Sequence, residues 1–287
     1  MKNSVPFTPD DTSSRDDLLS SVTHLIVVGS SKGGVGKSFI ATTCIDLLEI
    51  EGYEARVVQI DEQNRLPTLF PNRVQTVSLA SLDDVRSDPA ASITAFDGLY
   101  AEIEKTMIDK QPLVVDVGGL AQIPIEEYLG IADVDEDLAA SGIRVLWLIP
   151  TTAEPESMRA AVRTAEAVGR VLPSARRTIV LNLRDGPFRF YPGSPADVLW
   201  RQQLEPFCRR LGAVELPVIA AGSWAPFEMA GKRFIDVVAA DIDDIQSWTG
   251  RSRPASKVIR GDVAAFVAAA DAALGPLLYK REETSNA

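Results

Sequence analysis

Apolar residues fall along this chain in short unbroken runs and seldom alternate with polar ones. Six runs, at 24–29, 55–60, 113–116, 143–149, 178–182 and 214–219, have the length of β-strands. Between them lie stretches with apolar positions at helical spacing, at 37–50, 96–108, 154–171, 195–211 and 261–278. A strand that is apolar on both faces must be covered on both faces. Strands of this kind alternating with helices predict an α/β fold of three layers, a mostly parallel sheet flanked by helices. Ligands of such sheets bind where the strands end at the carboxyl edge. The stretch 65–92 breaks the rhythm with scattered Pro, Ser and Asp. It reads as an insertion over the site or as an ordinary surface excursion.

Candidate chemistry sits at the first strand–helix junction. The run Ser31-Lys32-Gly33-Gly34-Val35-Gly36-Lys37-Ser38 joins a predicted strand to a predicted helix. Glycines there let backbone N–H groups approach an anion, and the helix N-terminus adds positive potential. Lys37 would neutralise β- and γ-phosphates, and the Ser38 hydroxyl would hold Mg²⁺. The general pattern G-x-x-x-x-G-K-[ST] fails at Ser31, whereas K-G-G-x-G-K-[ST] is met in full from Lys32. An ordinary phosphate loop needs no cation at Lys32. Three polar residues close other predicted strands. Asp116 ends a strand and precedes Gly118-Gly119, as a Mg²⁺-side acid with a switch behind it would, or a turn aspartate. Asp61 follows Ile60 as a second acid or a surface carboxylate. Asn182 can donate and accept at an adenine edge, or form a turn.

These residues resemble the deviant phosphate-loop ATPases of the ParA/MinD type. The resemblance implies a P-loop NTPase fold, ATP and Mg²⁺ as cofactors, and slow hydrolysis. It places Lys32, Gly33, Gly34, Val35, Gly36, Lys37, Ser38, Phe39 and Asn182 at the nucleotide. It places Ser38, Asp61 and Asp116 at the metal, and Lys32, Lys37, Asp61 and Asp116 in catalysis. Lys32 would reach across a homodimer formed in the ATP state, to the partner's phosphates. The family often carries D-x-D-P-Q where this chain has Gln59, Asp61 and Glu62, and usually a hydroxyl where it has Phe39. Loss of that hydroxyl removes one hydrogen bond to the α-phosphate, about 1–3 kcal/mol if charge-assisted. Ser30 or Thr42 is a candidate substitute. The implied task is partitioning, positioning or transfer of plasmids or DNA, with a partner protein that stimulates the ATPase. A regulator with negligible turnover and a MinD-like membrane-associated ATPase are the alternatives.

Composition narrows the setting. At 287 residues and 46% apolar, the chain can form one ATPase domain over 23–280, with a mobile polar tail at 1–22 and a short tail at 281–287. The polar start lacks the apolar core of a signal peptide, and no apolar run reaches the roughly 20 residues of a membrane span, so a cytoplasmic protein is expected. Cys44 and Cys208 form no C-x-x-C pair, which argues against a disulfide framework or a metal site. The single histidine, His24, opens a strand and reads as structural. Net charge is −11, with 24 acidic and 11 basic side chains in the first 150 residues against 16 and 18 in the rest. Such a surface repels nucleic acid at long range. Non-specific DNA would need a local patch from Arg251, Arg253, Lys257 and Arg260 with the pairs Arg176-Arg177 and Arg209-Arg210; the same residues also fit a solvated helix face.

Overall fold

The computed structural model describes residue 19, residues 21–60 and residues 65–281. Seven strands form one sheet: β1 (Leu25–Val28), β2 (Arg56–Ile60), β3 (Val74–Thr76), β4 (Leu113–Val117), β5 (Val145–Thr151), β6 (Arg176–Asn182) and β7 (Ala213–Leu216). Their order is β3-β2-β4-β1-β5-β6-β7, and every neighbouring pair is parallel. The three-layer α/β architecture predicted from the runs is therefore present, with a wholly parallel sheet.

The unbroken runs have a direct cause. Successive strand residues point to opposite faces, and both faces are buried. Ile26, Val28, Val57, Val114, Leu146, Leu148 and Val180 enter one core. It is completed by helix α1 (Lys37–Ile50) and the C-terminal helices. Leu25, Val27, Val58, Val115, Val145, Trp147 and Ile179 enter the other. That core is covered by α2 (Asp97–Asp109), α3 (Gln122–Ile131) and α4 (Pro155–Val171). The C-terminal helices are α5 (Ala221–Met229), α6 (Phe234–Ala239), α7 (Ile242–Thr249) and α8 (Arg253–Leu278). Val22 and Tyr279 form an antiparallel bridge, so the described chain enters and leaves the fold side by side.

Three elements differ from the sequence expectation. The irregular stretch 65–92 contains β3, an edge strand in which only Val74 is even partly buried, so it carries no apolar run. The helix expected over 195–211 is interrupted by a π-helical segment, Trp200–Leu204, just before Pro206. Proline brings no N–H to the i−4 carbonyl, and the wider turn accommodates it. Helix α8 starts at Arg253, not at Gly261, with Pro254 in its first turn. By length and composition α8 could cross a membrane, with a mean hydropathy of 1.4 over its most apolar 18 residues. Yet Ile259, Val263, Phe266, Ala270 and Leu274 form a buried stripe in the core beside α1.

Candidate functional site

The lysine-bearing loop runs from the end of β1 to the first turn of α1. Gly34 (φ 77°) and Gly36 (φ 91°) take left-handed conformations that other residues seldom adopt. At Gly36 space is also closed, because a Cβ would lie 2.5 Å from Asn182 Nδ2. Gly33 and Gly34 are exposed, so the loop offers its backbone to solvent. Lys37 is 8% exposed, and its ammonium donates to the Lys32 carbonyl at 2.9 Å. Its positive charge is thus held under the loop, where an anion on the loop's N–H groups would meet it.

Sheet register brings the acid to this point. Val28, the last residue of β1, pairs with Asp116 of β4. Asp116 is buried, and the chain after it passes directly under the loop. At Gly119 a Cβ would lie 3.3 Å from Gly33 N and 3.6 Å from Lys37 Nζ. Glycine permits that approach. Ser38, half-buried, stands in the first turn of α1. Asp61 lies outside the described residues.

Asn182 closes β6 and is already engaged. Its Nδ2 donates to Val35 O at 3.0 Å, and its Oδ1 accepts from Arg184 N at 3.2 Å. Arg184 reaches back to Gly34 O at 2.8 Å. Beside these residues opens a cavity of about 360 Å³, lined by Gly36, Phe39, Asn182, Arg184, Ile219 and Trp224 among others. Arg65 and Glu228 form an ion pair at 2.5 Å on its wall. Phe39 turns away from the loop into an aromatic cluster, with ring centroids 5.1 Å from Phe234 and 5.2 Å from Phe266. Of the two candidate hydroxyl substitutes, Thr42 donates to Ser38 O at 2.9 Å, which commits its proton to the helix. Ser30 Oγ is buried without a hydrogen-bond partner among the described residues. It is an orphan polar group next to the loop.

Within the single chain Lys32 already has a partner. Its ammonium lies 3.3 Å from Glu154, at the start of α4 in the same chain. Sequence reasoning missed Glu154, Arg184, Arg65 and Trp224. Only Arg184 had a local signal, two positions after a strand-terminal asparagine.

The residues present fit a Mg²⁺-bound nucleoside triphosphate. Gly36 is a cradle position that a Cβ would fill, Lys37 supplies the counter-charge, and a cavity of base size adjoins them. Among the described residues no cluster of three metal-ligating side chains occurs. Mg²⁺ often binds through one or two protein oxygens plus phosphate and water, and Ser38 and Asp116 could supply those. Neither thiol competes for the chemistry. Burial pushes Cys44 up to about 12 and Cys208 to about 11.

Most of the basic residues of that expected patch have local partners. Arg253 pairs with Asp243, Arg209 with Glu205, Arg251 donates to Gly222 O, and Arg260 to Val238 O. Arg177 donates to Ala165 O, and Arg210 stacks on Phe207.

No family model matches the chain, and no curated protein does. Among solved structures it is similar to the MinC:MinD cell division protein complex of Aquifex aeolicus, at 16% identity and a TM-score of 0.42, covering 86% of this chain and 96% of that one. It is also similar to the MinD cell division protein of Aquifex aeolicus, at 17% identity and a TM-score of 0.42, covering 86% and 97%.

Proposed function

We propose that the chain is an ATP-dependent switch of the ParA/MinD type, a slow Mg²⁺-dependent ATPase that dimerises in the ATP state. One observation carries the reading: a glycine loop with a buried lysine meets a strand-terminal aspartate at the carboxyl edge of a parallel sheet. Loop N–H groups would hold the phosphates and Lys37 would balance their charge. Ser38 and Asp116, with Asp61, would hold the metal. The nucleotide supplies a phosphoanhydride, and the chain supplies positioning and electrostatics. Lys32 must leave Glu154 before it can serve a partner subunit. The base would enter the cavity beside Asn182, Arg184 and Trp224.

In the cell this reading makes residues 23–280 a single cytoplasmic switch domain that partitions or positions plasmids or other DNA, with a partner protein stimulating turnover. A MinD-like membrane association is the second reading. It is favoured by α8, which is long and apolar enough to engage lipid, though its apolar stripe is committed to the core.

The test is sedimentation and thermal unfolding with and without ATP and Mg²⁺. Wild type should gain about 2.7 kcal/mol at a hundredfold excess over Kd and shift to a dimer. Lys37→Ala should lose both effects. Lys32→Ala should keep the stabilisation and remain monomeric. An unaltered ATP-bound dimer in Lys32→Ala would sink the trans-lysine role. No ATP effect on wild type would sink the whole reading.

A further inference from the structure

The other end of the sheet carries a separate feature. Where β1, β5 and β6 begin, a cavity of about 340 Å³ opens between the chain entry, the last turn of α8 and the strand starts. A seven-residue strand such as β5 separates it from the phosphate loop, about 20 Å. Three cations line it, Arg144, Arg176 and Lys280, and among the described residues no carboxylate does. That is against the trend of a chain with net charge −11.

The groups around the cavity differ in how they are engaged. Arg144 is anchored through a hydrogen bond to the Val22 carbonyl. The Arg176 and Lys280 side chains make no ion pair or hydrogen bond among the described residues. Thr23 Oγ1 donates to Leu277 O at 2.7 Å, so that hydroxyl is committed. Two carboxylates bond to lining residues from outside the lining: Asp135 accepts from the Ser174 N–H and hydroxyl, and Asp271 accepts from the Tyr279 hydroxyl. Ile143, Pro276 and Leu277 form an apolar wall.

We propose that this cavity is a second ligand site, for a small phosphate ester with a partly apolar body. Guanidinium forks match phosphate oxygens in pairs. A phosphomonoester carries a charge near −2, which suits three cations better than a single carboxylate does. The volume is that of a small-ligand pocket, and the apolar wall would cover the ester's organic part.

His24 gives a clean readout. It is the only histidine, and its Nδ1 accepts from the Arg144 N–H at 3.1 Å on the wall of this cavity. The experiment follows the His24 imidazole by long-range proton–nitrogen NMR while the full chain is titrated with phenyl phosphate at constant ionic strength. A saturable shift is expected, with affinity about tenfold weaker in Arg176→Ala or Lys280→Ala. Lys37→Ala should titrate as wild type does, which separates this cavity from the loop. An unsaturable shift, or equal affinity in Arg176→Ala, overturns the site. Loss of the response in Lys37→Ala reassigns it to the loop and overturns it equally. Equal affinity for inorganic phosphate overturns the ester assignment.

Discussion

Two residues of the loop show how much one position decides. Gly36 combines a φ of 91° with the amide of Asn182 where a Cβ would stand. A side chain there must strain the backbone and push Asn182 off Val35 O. Gly36→Ala should cost about 1–3 kcal/mol, while Gly33→Ala, with open space at its Cβ, should leave thermal unfolding unchanged. Equal melting of the two variants would contradict this geometry. Lys32 is the other case. Its ion pair with Glu154 is largely exposed, with side-chain exposures of 37% and 49%. Exposed pairs are worth less than about 1 kcal/mol. Because both subunits break this pair, Glu154→Gln should therefore ease ATP-dependent dimerisation by no more than about thirtyfold, about fivefold per subunit, seen in the concentration dependence of sedimentation. A variant that dimerises less well than wild type would show that Glu154 helps the dimer and does not restrain Lys32.

At the scale of elements, α1 explains why the chain carries Phe39. The helix starts at the loop and runs against α6 and α8, and Phe39 sits edge-on to Phe234 and Phe266 with Trp224 at 6.4 Å. Two to three turns further along, Arg233 at the start of α6 donates to Asp46 at 2.8 Å and to Glu49 at 2.5 Å, both on α1. The position that would bear a phosphate-binding hydroxyl thus ties the loop's helix to the C-terminal layer. Phe39→Ser should lose about 2–3 kcal/mol in urea unfolding, less than full burial of a Phe would give. A neutral result would mean that the cluster does not anchor α1. The same element shows what the sequence could reveal. The junction of β1 and α1, and Asp116 at the end of β4, were legible because unbroken apolar runs and glycine spacing mark them. The helices α5–α7 were not. Six to nine residues leave little room for a period to show, and α5 contains Pro226. Their limits come from local caps, such as Asp241, which accepts from the N–H groups of Asp243 and Asp244. Glu154 and the Arg65–Glu228 pair were illegible for another reason: their partners are distant in sequence.

For the molecule as a whole, two buried groups make stability depend on pH with opposite sign. Burial pushes Asp46 up to about 6, against the pull of Arg233. The native state then keeps a proton that the unfolded chain releases, so this group lowers stability as pH rises from about 4 to about 6. His24 works the other way. Burial holds its imidazole below the ordinary 6.5, Arg144 and Lys110 add to that, and only the Leu19 carbonyl opposes them. The two hydrogen bonds require a neutral ring, with Nε2 facing Leu19 O at 3.2 Å as donor and Nδ1 accepting from Arg144 N–H. The unfolded chain therefore binds the proton first, and stability is lost as pH falls through 6.5 toward the lower native value. His24→Asn isolates this contribution, because its amide oxygen can accept from Arg144 in place of Nδ1 without titrating. The stability gap between wild type and His24→Asn, measured by urea unfolding, should be widest at pH 8 and narrow toward pH 5.5, while Asp46 affects both proteins alike. A gap constant across that range would mean that the native imidazole protonates as readily as the unfolded one, and that the edge of the sheet where β1, β5 and α8 meet does not exclude a cation there.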